Sequence, residues 1–196
     1  MEPQHLCKVF GPFKKGEVQS LDIETKFNEV PSTVENFIGR QIEVFEVVHH
    51  VMNNRFVNVI GLPGIGKTAL AKNAVNYIAD RKLFKQGIIF FSLKGYKSSS
   101  VFLKKLVTNI VVSNFDLEPD EKTKLDEGNI EKLFRMIIGY FRAMDDQLLV
   151  VFDNAEELLY HDRKGFRELI TELLNNCPCL KFLLTSRVTV GVLQDI

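Results

Sequence analysis

The segment Gly61-Leu62-Pro63-Gly64-Ile65-Gly66-Lys67-Thr68 places glycines and a terminal Lys-Thr pair at a spacing suited to holding a chain of phosphates. Backbone N–H groups converge on a phosphate only where no Cβ blocks the approach, and Gly61, Gly64 and Gly66 supply that freedom. The loop runs into the helix-forming Ala69-Leu70-Ala71-Lys72, so it delivers the phosphate to a helix N-terminus with unpaired N–H groups and partial positive charge. Lys67 adds a full charge for the β- and γ-phosphates, and the Thr68 hydroxyl is a ligand for Mg²⁺. The pattern implies a nucleoside triphosphate site.

Three further positions belong with this chemistry. Asp153 ends the apolar run Leu148-Leu149-Val150-Val151-Phe152, which puts a carboxylate at the carboxyl end of a buried strand, where ligands bind in open α/β sheets. There it is expected to help hold the Mg²⁺ of Thr68, a role compatible with capping the next helix. Asn154 follows, an amide that cannot accept a proton, and then Glu156 and Glu157, whose plain reading is helix-dipole complementation. Leu184-Thr185-Ser186-Arg187 brings an arginine to the same sheet edge, either to contact a γ-phosphate or to sit solvated at a strand end. Upstream, Phe37-Ile38-Gly39-Arg40 by itself reads as a turn with a surface arginine.

The elements that must position these residues alternate. Strands are expected at 56–60, 87–93, 147–152 and 180–185, each apolar throughout, which indicates a parallel sheet covered on both faces. Between them the spacing predicts a helix from Glu35 to about Asn53 with Ile38, Ile42, Phe45, Val48 and Met52 on its core face. Further helices are expected from Lys67 to about Arg81 with Leu70, Ala74, Tyr77 and Ile78 inward, from a Ser98-Ser99-Ser100 cap to about Ser113, from Ile130 to Met144, and from Phe166 to Asn176. Residues 114–129 read as a surface loop or short helix, and residues 1–36, with Gly11-Pro12, Gly16 and Pro31, as a linker or the tail of an upstream domain. The nucleotide-binding domain then occupies residues 37–196.

The chain of 196 residues accommodates one domain with a full core. Lys+Arg and Asp+Glu both total 25, so the formal charge is zero, which argues against a protein whose main work is gripping a nucleic-acid backbone. The three cysteines, Cys7, Cys177 and Cys179, lack zinc-site spacing and read as idle thiols in a reducing compartment. With no membrane-length apolar run and no signal pattern, a cytoplasmic protein with no membrane partner is expected.

Taken in order, Phe37 to Arg40, Gly61 to Thr68, Leu148 to Asn154 and Leu183 to Arg187 resemble the nucleotide-binding core of the STAND class of P-loop NTPases, specifically the NB-ARC group. The resemblance implies a three-layer α-β-α fold of the additional-strand type, with the strand before the phosphate loop flanked by the strand that ends in Arg187. It implies that Ile38 and Arg40 line the adenine and ribose, that residues 63–69, from Pro63 to Ala69, hold the phosphates with Gly61, and that Arg187 is a sensor arginine acting with Lys67 and Asp153. It also implies an ADP or ATP switch that uses Mg²⁺ and oligomerises through this domain, between an upstream effector and downstream sensor domains. The family's C-terminal subdomains do not follow Arg187, so a fragment of a longer protein is expected. Asn154 stands where a second acid is common, so at most slow ATPase activity is expected. A true turnover ATPase of the AAA+ kind and a degenerate structural scaffold are the alternative readings.

Overall fold

The computed structural model describes residues 27–28, 30–32, 34, 37–114 and 130–191. The expected loop or helix at 115–129, Cys7 and most of the 1–36 segment lie outside these residues. Along the chain run β1 (Phe27–Asn28), α1 (Gln41–Asn53), β2 (Phe56–Ile60), α2 (Lys67–Asp80), β3 (Gly87–Ser92), α3 (Ser99–Asn114), α4 (Ile130–Arg142), β4 (Leu148–Asp153), α5 (Glu156–Asn176) and β5 (Leu180–Ser186).

The five strands form one sheet in the order β1-β3-β4-β5-β2, and every pairing is parallel. β2, which leads into the phosphate loop, pairs along its length with β5, from Phe56 opposite Phe182 to Ile60 opposite Ser186. This is the strand neighbourhood that the family resemblance implies. β1 is a two-residue edge within the segment read as linker; it pairs with Gly87 and Ile88, and Pro31 O accepts a hydrogen bond from Asn76 Nδ2 at 3.0 Å.

Helices cover both faces, and side-chain alternation along the strands divides the core in two. Leu148, Val150 and Phe152 of β4, with Phe182 and Leu184 of β5, pack against α3, α4 and α5, while Leu149, Val151 and Leu183 face α1 and α2. Both layers are apolar, so the central strands carry unbroken apolar runs rather than alternating ones.

α1 packs differently from the periodicity reading. Val47, Val48 and Val51 are buried against α2, whereas Ile38, Ile42 and Phe45, assigned to the core face, are 88 %, 73 % and 67 % exposed, and Met52 is exposed too. The helix has two apolar stripes. The compact valine stripe faces an α2 surface that includes Ala71 and Ala74, where small side chains permit close approach. It also begins at Gln41 rather than Glu35, because Gly39 and Arg40 both adopt left-handed backbone, φ 77° and 60°. Tyr77, placed inward from sequence, is exposed and stacks under the Arg81 guanidinium at 3.5 Å.

α5 begins ten residues before the expected Phe166. It is bent at Asp162, whose φ of −144° and ψ of 52° break the helical run. Asp162 turns this break to use: its Oδ2 accepts the Ser99 N–H at 2.8 Å at the start of α3, and its Oδ1 accepts the Gly165 N–H at 3.1 Å. The far end of the sheet is held by Lys181, which is buried and donates from Nζ to Val51 O at 3.0 Å and to Met52 O, placing a cation at the C-terminus of α1.

Cys177 and Cys179 are free thiols at this end. Burial, aided by the neighbouring Cys179, pushes the Cys177 thiol up to about 12, and burial pushes Cys179 up to about 11. Such thiols are poor nucleophiles at neutral pH, in keeping with the idle role read from the sequence. Groups raised in the folded state lend stability that is complete below their ordinary value of 9.0 and is lost as pH rises through the folded values. Lys181 opposes this: burial, then Arg55, lowers its pKa, so its charging cost is relieved as pH rises toward 10.5. Two thiols and Tyr140, also raised by burial, outweigh one lysine. Thermal melts are expected to show stability falling above about pH 9, and less steeply in a Cys177→Ala, Cys179→Ala variant.

Candidate nucleotide site

The carboxyl ends of β2, β4 and β5 bring the expected residues to one edge of the sheet. The loop at 61–66 leaves β2 and turns into α2 through Gly64 and Gly66, with φ of 78° and 87°. A Cβ at Gly66 would also lie 3.2 Å from Arg40 Nη1, so backbone strain and a close neighbour together require glycine there. Gly61 has no positive φ; a Cβ there would meet the Ile65 side chain, with Cδ1 at 2.3 Å. Lys67 lies at the start of α2 and its Nζ donates to Gly61 O at 2.9 Å and Leu62 O at 3.0 Å, so the ammonium spans the loop it would share with phosphates.

Asp153, buried at the end of β4, is held on all sides. Its Oδ1 accepts from Thr68 Oγ1 at 2.8 Å and from Thr185 Oγ1, and its Oδ2 accepts from Asn154 Nδ2 at 2.9 Å. These bonds compensate the burial of the charge. They join α2, β4 and β5 at one carboxylate. Thr185 is a part of the site that the sequence reading passed over; its position on β5 opposite Asp153's strand was the available signal. Its hydroxyl also accepts the Asn154 N–H at 3.0 Å.

Asn154 has a left-handed backbone, φ 59°, a conformation that asparagine tolerates better than most residues. Its amide is a donor to Asp153, which no acid at that position could be when ionised. The residue that lacks a base thus fixes the orientation of the residue that carries the charge.

Arg40, at the N-terminal end of α1, donates from Nη1 to Ile65 O at 2.8 Å and from Nε to Glu43 Oε1 at 3.1 Å. It therefore touches the phosphate loop, while Ile38 points into solvent beside it. Leu62 and Ile65 of the loop are exposed, as is Pro63, and Ala69 lies in the first turn of α2. Arg187 follows β5 and is paired with Glu156, Nε to Oε1 at 3.2 Å. Glu157 instead accepts the Gly95 N–H at 2.9 Å. Neither acid is a simple helix-start charge.

This arrangement joins a glycine-rich loop and a helix N-terminus to an acid and a hydroxyl behind them. Residues 55–194, well over half of the chain, match the NACHT domain family. The chain belongs to the NACHT domain family. NACHT domains are P-loop NTPases of the STAND class, the class expected from the sequence, although the branch named there was NB-ARC and the match is to NACHT.

Among curated relatives, the NACHT chain is 29 % identical over 143 residues to proteins named as HTH-type transcriptional regulators of Mycobacterium tuberculosis and Mycobacterium bovis. The matched region is 73 % of this chain but 14 % of those relatives. Solved structures that share the fold include CDC6P of Pyrobaculum aerophilum, with a TM-score of 0.56 at 13 % identity, covering 80 % of this chain and 41 % of that one. The Aeropyrum pernix ORC2 protein gives a TM-score of 0.53 at 17 % identity, covering 79 % and 44 %. The Walker-type ATPase of Pyrococcus abyssi gives 0.53 at 18 %, covering 83 % and 49 %. These likenesses establish the three-layer P-loop fold. The NACHT domain is a nucleotide-binding module.

The donor set fits Mg²⁺. Thr68 and Asp153 present a hydroxyl and a carboxylate, hard oxygen donors that are already in contact, and such an ion takes its remaining ligands from water and phosphate oxygens. Among the described residues no group of three or more His, Cys, Asp or Glu side chains converges on a metal position. Also among these residues, no helix is long and apolar enough to cross a membrane.

Proposed function

We propose that this NACHT domain is an ADP/ATP switch in a longer cytoplasmic signalling protein, in which nucleotide exchange controls oligomerisation and hydrolysis is slow or absent. The observation that carries the reading is the Asp153 carboxylate, held by Thr68 of the phosphate helix and by the amide of Asn154. The first contact supports Mg²⁺-assisted triphosphate binding. The second puts an amide beside the carboxylate where an acid would serve turnover, which supports a bound state that persists.

In this reading the loop from Gly61 to Ala69 holds the phosphates with Lys67 on the β- and γ-phosphates, and Arg40 anchors the loop toward the ribose. Arg187 answers the γ-phosphate. Bound Mg²⁺ supplies charge neutralisation between the phosphates, with Thr68 and Asp153 to hold it. A switch requires that the two nucleotides differ in affinity for its two states, and Arg187 is a group that a diphosphate leaves unengaged. The effector upstream, the sensor domains downstream and oligomerisation through this domain belong to the same proposal.

Calorimetric titration of ADP and ATP, with and without Mg²⁺, into the nucleotide-stripped chain tests it. Tight ADP binding with turnover far slower than exchange supports the switch; rapid turnover, or no binding by a folded sample, overturns it. In the same assay Asp153→Ala is expected to weaken Mg²⁺-dependent ATP binding by about ten- to a hundredfold while sparing metal-free ADP binding. Equal losses would make the carboxylate structural.

A further inference from the structure

We propose that Glu156 sets the preference of this site between nucleoside diphosphate and triphosphate, by holding Arg187 in competition with the terminal phosphate. The inference rests on the switch reading and adds to it the residue that restrains the sensor. Arg187 lies directly after β5, on the edge that carries Asp153, and forms an ion pair with Glu156, Nε to Oε1 at 3.2 Å. The ion pair runs through Nε and one carboxylate oxygen, not through the two-point fork that makes Arg–carboxylate pairs strong. The arginine side chain is 53 % exposed and the glutamate 22 %, so the cation is free to swing away while the carboxylate stays near the first turn of α5.

Glu156 is the half-satisfied partner. Among the described residues its Oε2 is buried and has no hydrogen-bond partner. The carboxylate therefore depends on Arg187, and drawing the guanidinium toward a γ-phosphate leaves a partly buried negative charge without its cation. That cost falls on the triphosphate alone, because a diphosphate leaves the Arg187–Glu156 pair in place. The same carboxylate also lowers the positive potential that Arg187 presents to an approaching anion. Glu156 thus opposes triphosphate binding twice, once by retention and once by neutralisation, and both effects vanish when its charge is removed.

The test is titration of the 196-residue chain with ADP and with a non-hydrolysable ATP analogue, in the presence of Mg²⁺. Glu156→Gln is expected to raise affinity for the analogue by about two- to fivefold, the range set by a partly exposed ion pair, and to leave ADP affinity unchanged. In an Arg187→Gln background the same substitution is expected to change neither. Unchanged ADP affinity doubles as the check that Glu156→Gln folds, and Glu156→Ala is read in the same way should the amide variant not fold. An unchanged ratio of the two affinities overturns the proposal, as does weaker analogue binding, which would make Glu156 a support for Arg187 instead of its competitor. Tightening that persists without Arg187 overturns it too. Each of these results leaves the switch reading standing, whereas failure of the unsubstituted chain to bind either nucleotide removes both.

Discussion

Replacing Lys67 with alanine is expected to lower nucleotide affinity by about 30- to 150-fold, the equivalent of ~2–3 kcal/mol for a charge-assisted hydrogen bond to phosphate. Lys67 bonds to Gly61 O and Leu62 O, so the ammonium already sits across the mouth of the loop and needs only to exchange carbonyl oxygens for phosphate oxygens. The substitution should leave the fold intact. The side chain is only half-buried, and the two carbonyls it abandons belong to residues 61 and 62, at the surface, where water replaces the lost donor. Calorimetric titration measures the affinity, and a thermal melt of the same sample verifies the fold. Unchanged affinity in a folded variant would dismiss the loop as the phosphate site, whatever its glycine spacing.

Phe152→Ala is expected to destabilise the domain by about 3–5 kcal/mol, a large part of the ~5–15 kcal/mol that holds a typical domain together. Phe152 is fully buried and its ring meets those of Phe102 at 5.2 Å, Phe182 at 5.7 Å, Phe166 at 6.0 Å and Phe91 at 6.2 Å. It therefore ties α3 and α5 to three neighbouring strands, and truncation leaves a cavity bounded by rigid rings that cannot close over it. Because Phe152 precedes Asp153, the loss reaches the site as well. Denaturant unfolding should show the midpoint falling with little change in slope. A loss below about 1 kcal/mol would mean that the aromatic cluster repacks, contrary to the close packing seen here.

The sequence by itself determined the glycine-rich loop, the carboxylate at the end of β4 and the order of β2 to β5 with the helices between them, while β1 fell in the segment read as a linker. These are legible because each rests on local physics. A loop that wraps phosphate needs glycines at fixed spacing, and a parallel strand buried on both faces must be apolar at every position, so Leu148 to Phe152 and Leu180 to Leu184 announce themselves. The matching of β2 with β5 came from family resemblance rather than from any local pattern.

The tertiary structure decided what depends on a partner distant in the chain. α1 carries two apolar stripes; periodicity chose Ile38, Ile42, Phe45, Val48 and Met52, of which Val48 alone is buried, because the α2 surface with Ala71 and Ala74 accepts the valines. α5 bends at Asp162, whose carboxylate holds the first turn of α3 more than sixty residues away, a contact to which helical spacing is blind. The same holds for the site. Asp153 was expected to act with Thr68 alone, yet Thr185 and Asn154 hold it as well, and Glu156 looked like a helix-start charge until β5 set Arg187 beside it. Backbone conformation is written largely in neighbouring residues, whereas the pairing of side chains depends on which surfaces meet, and only the folded sheet brings β4 and β5 edge to edge.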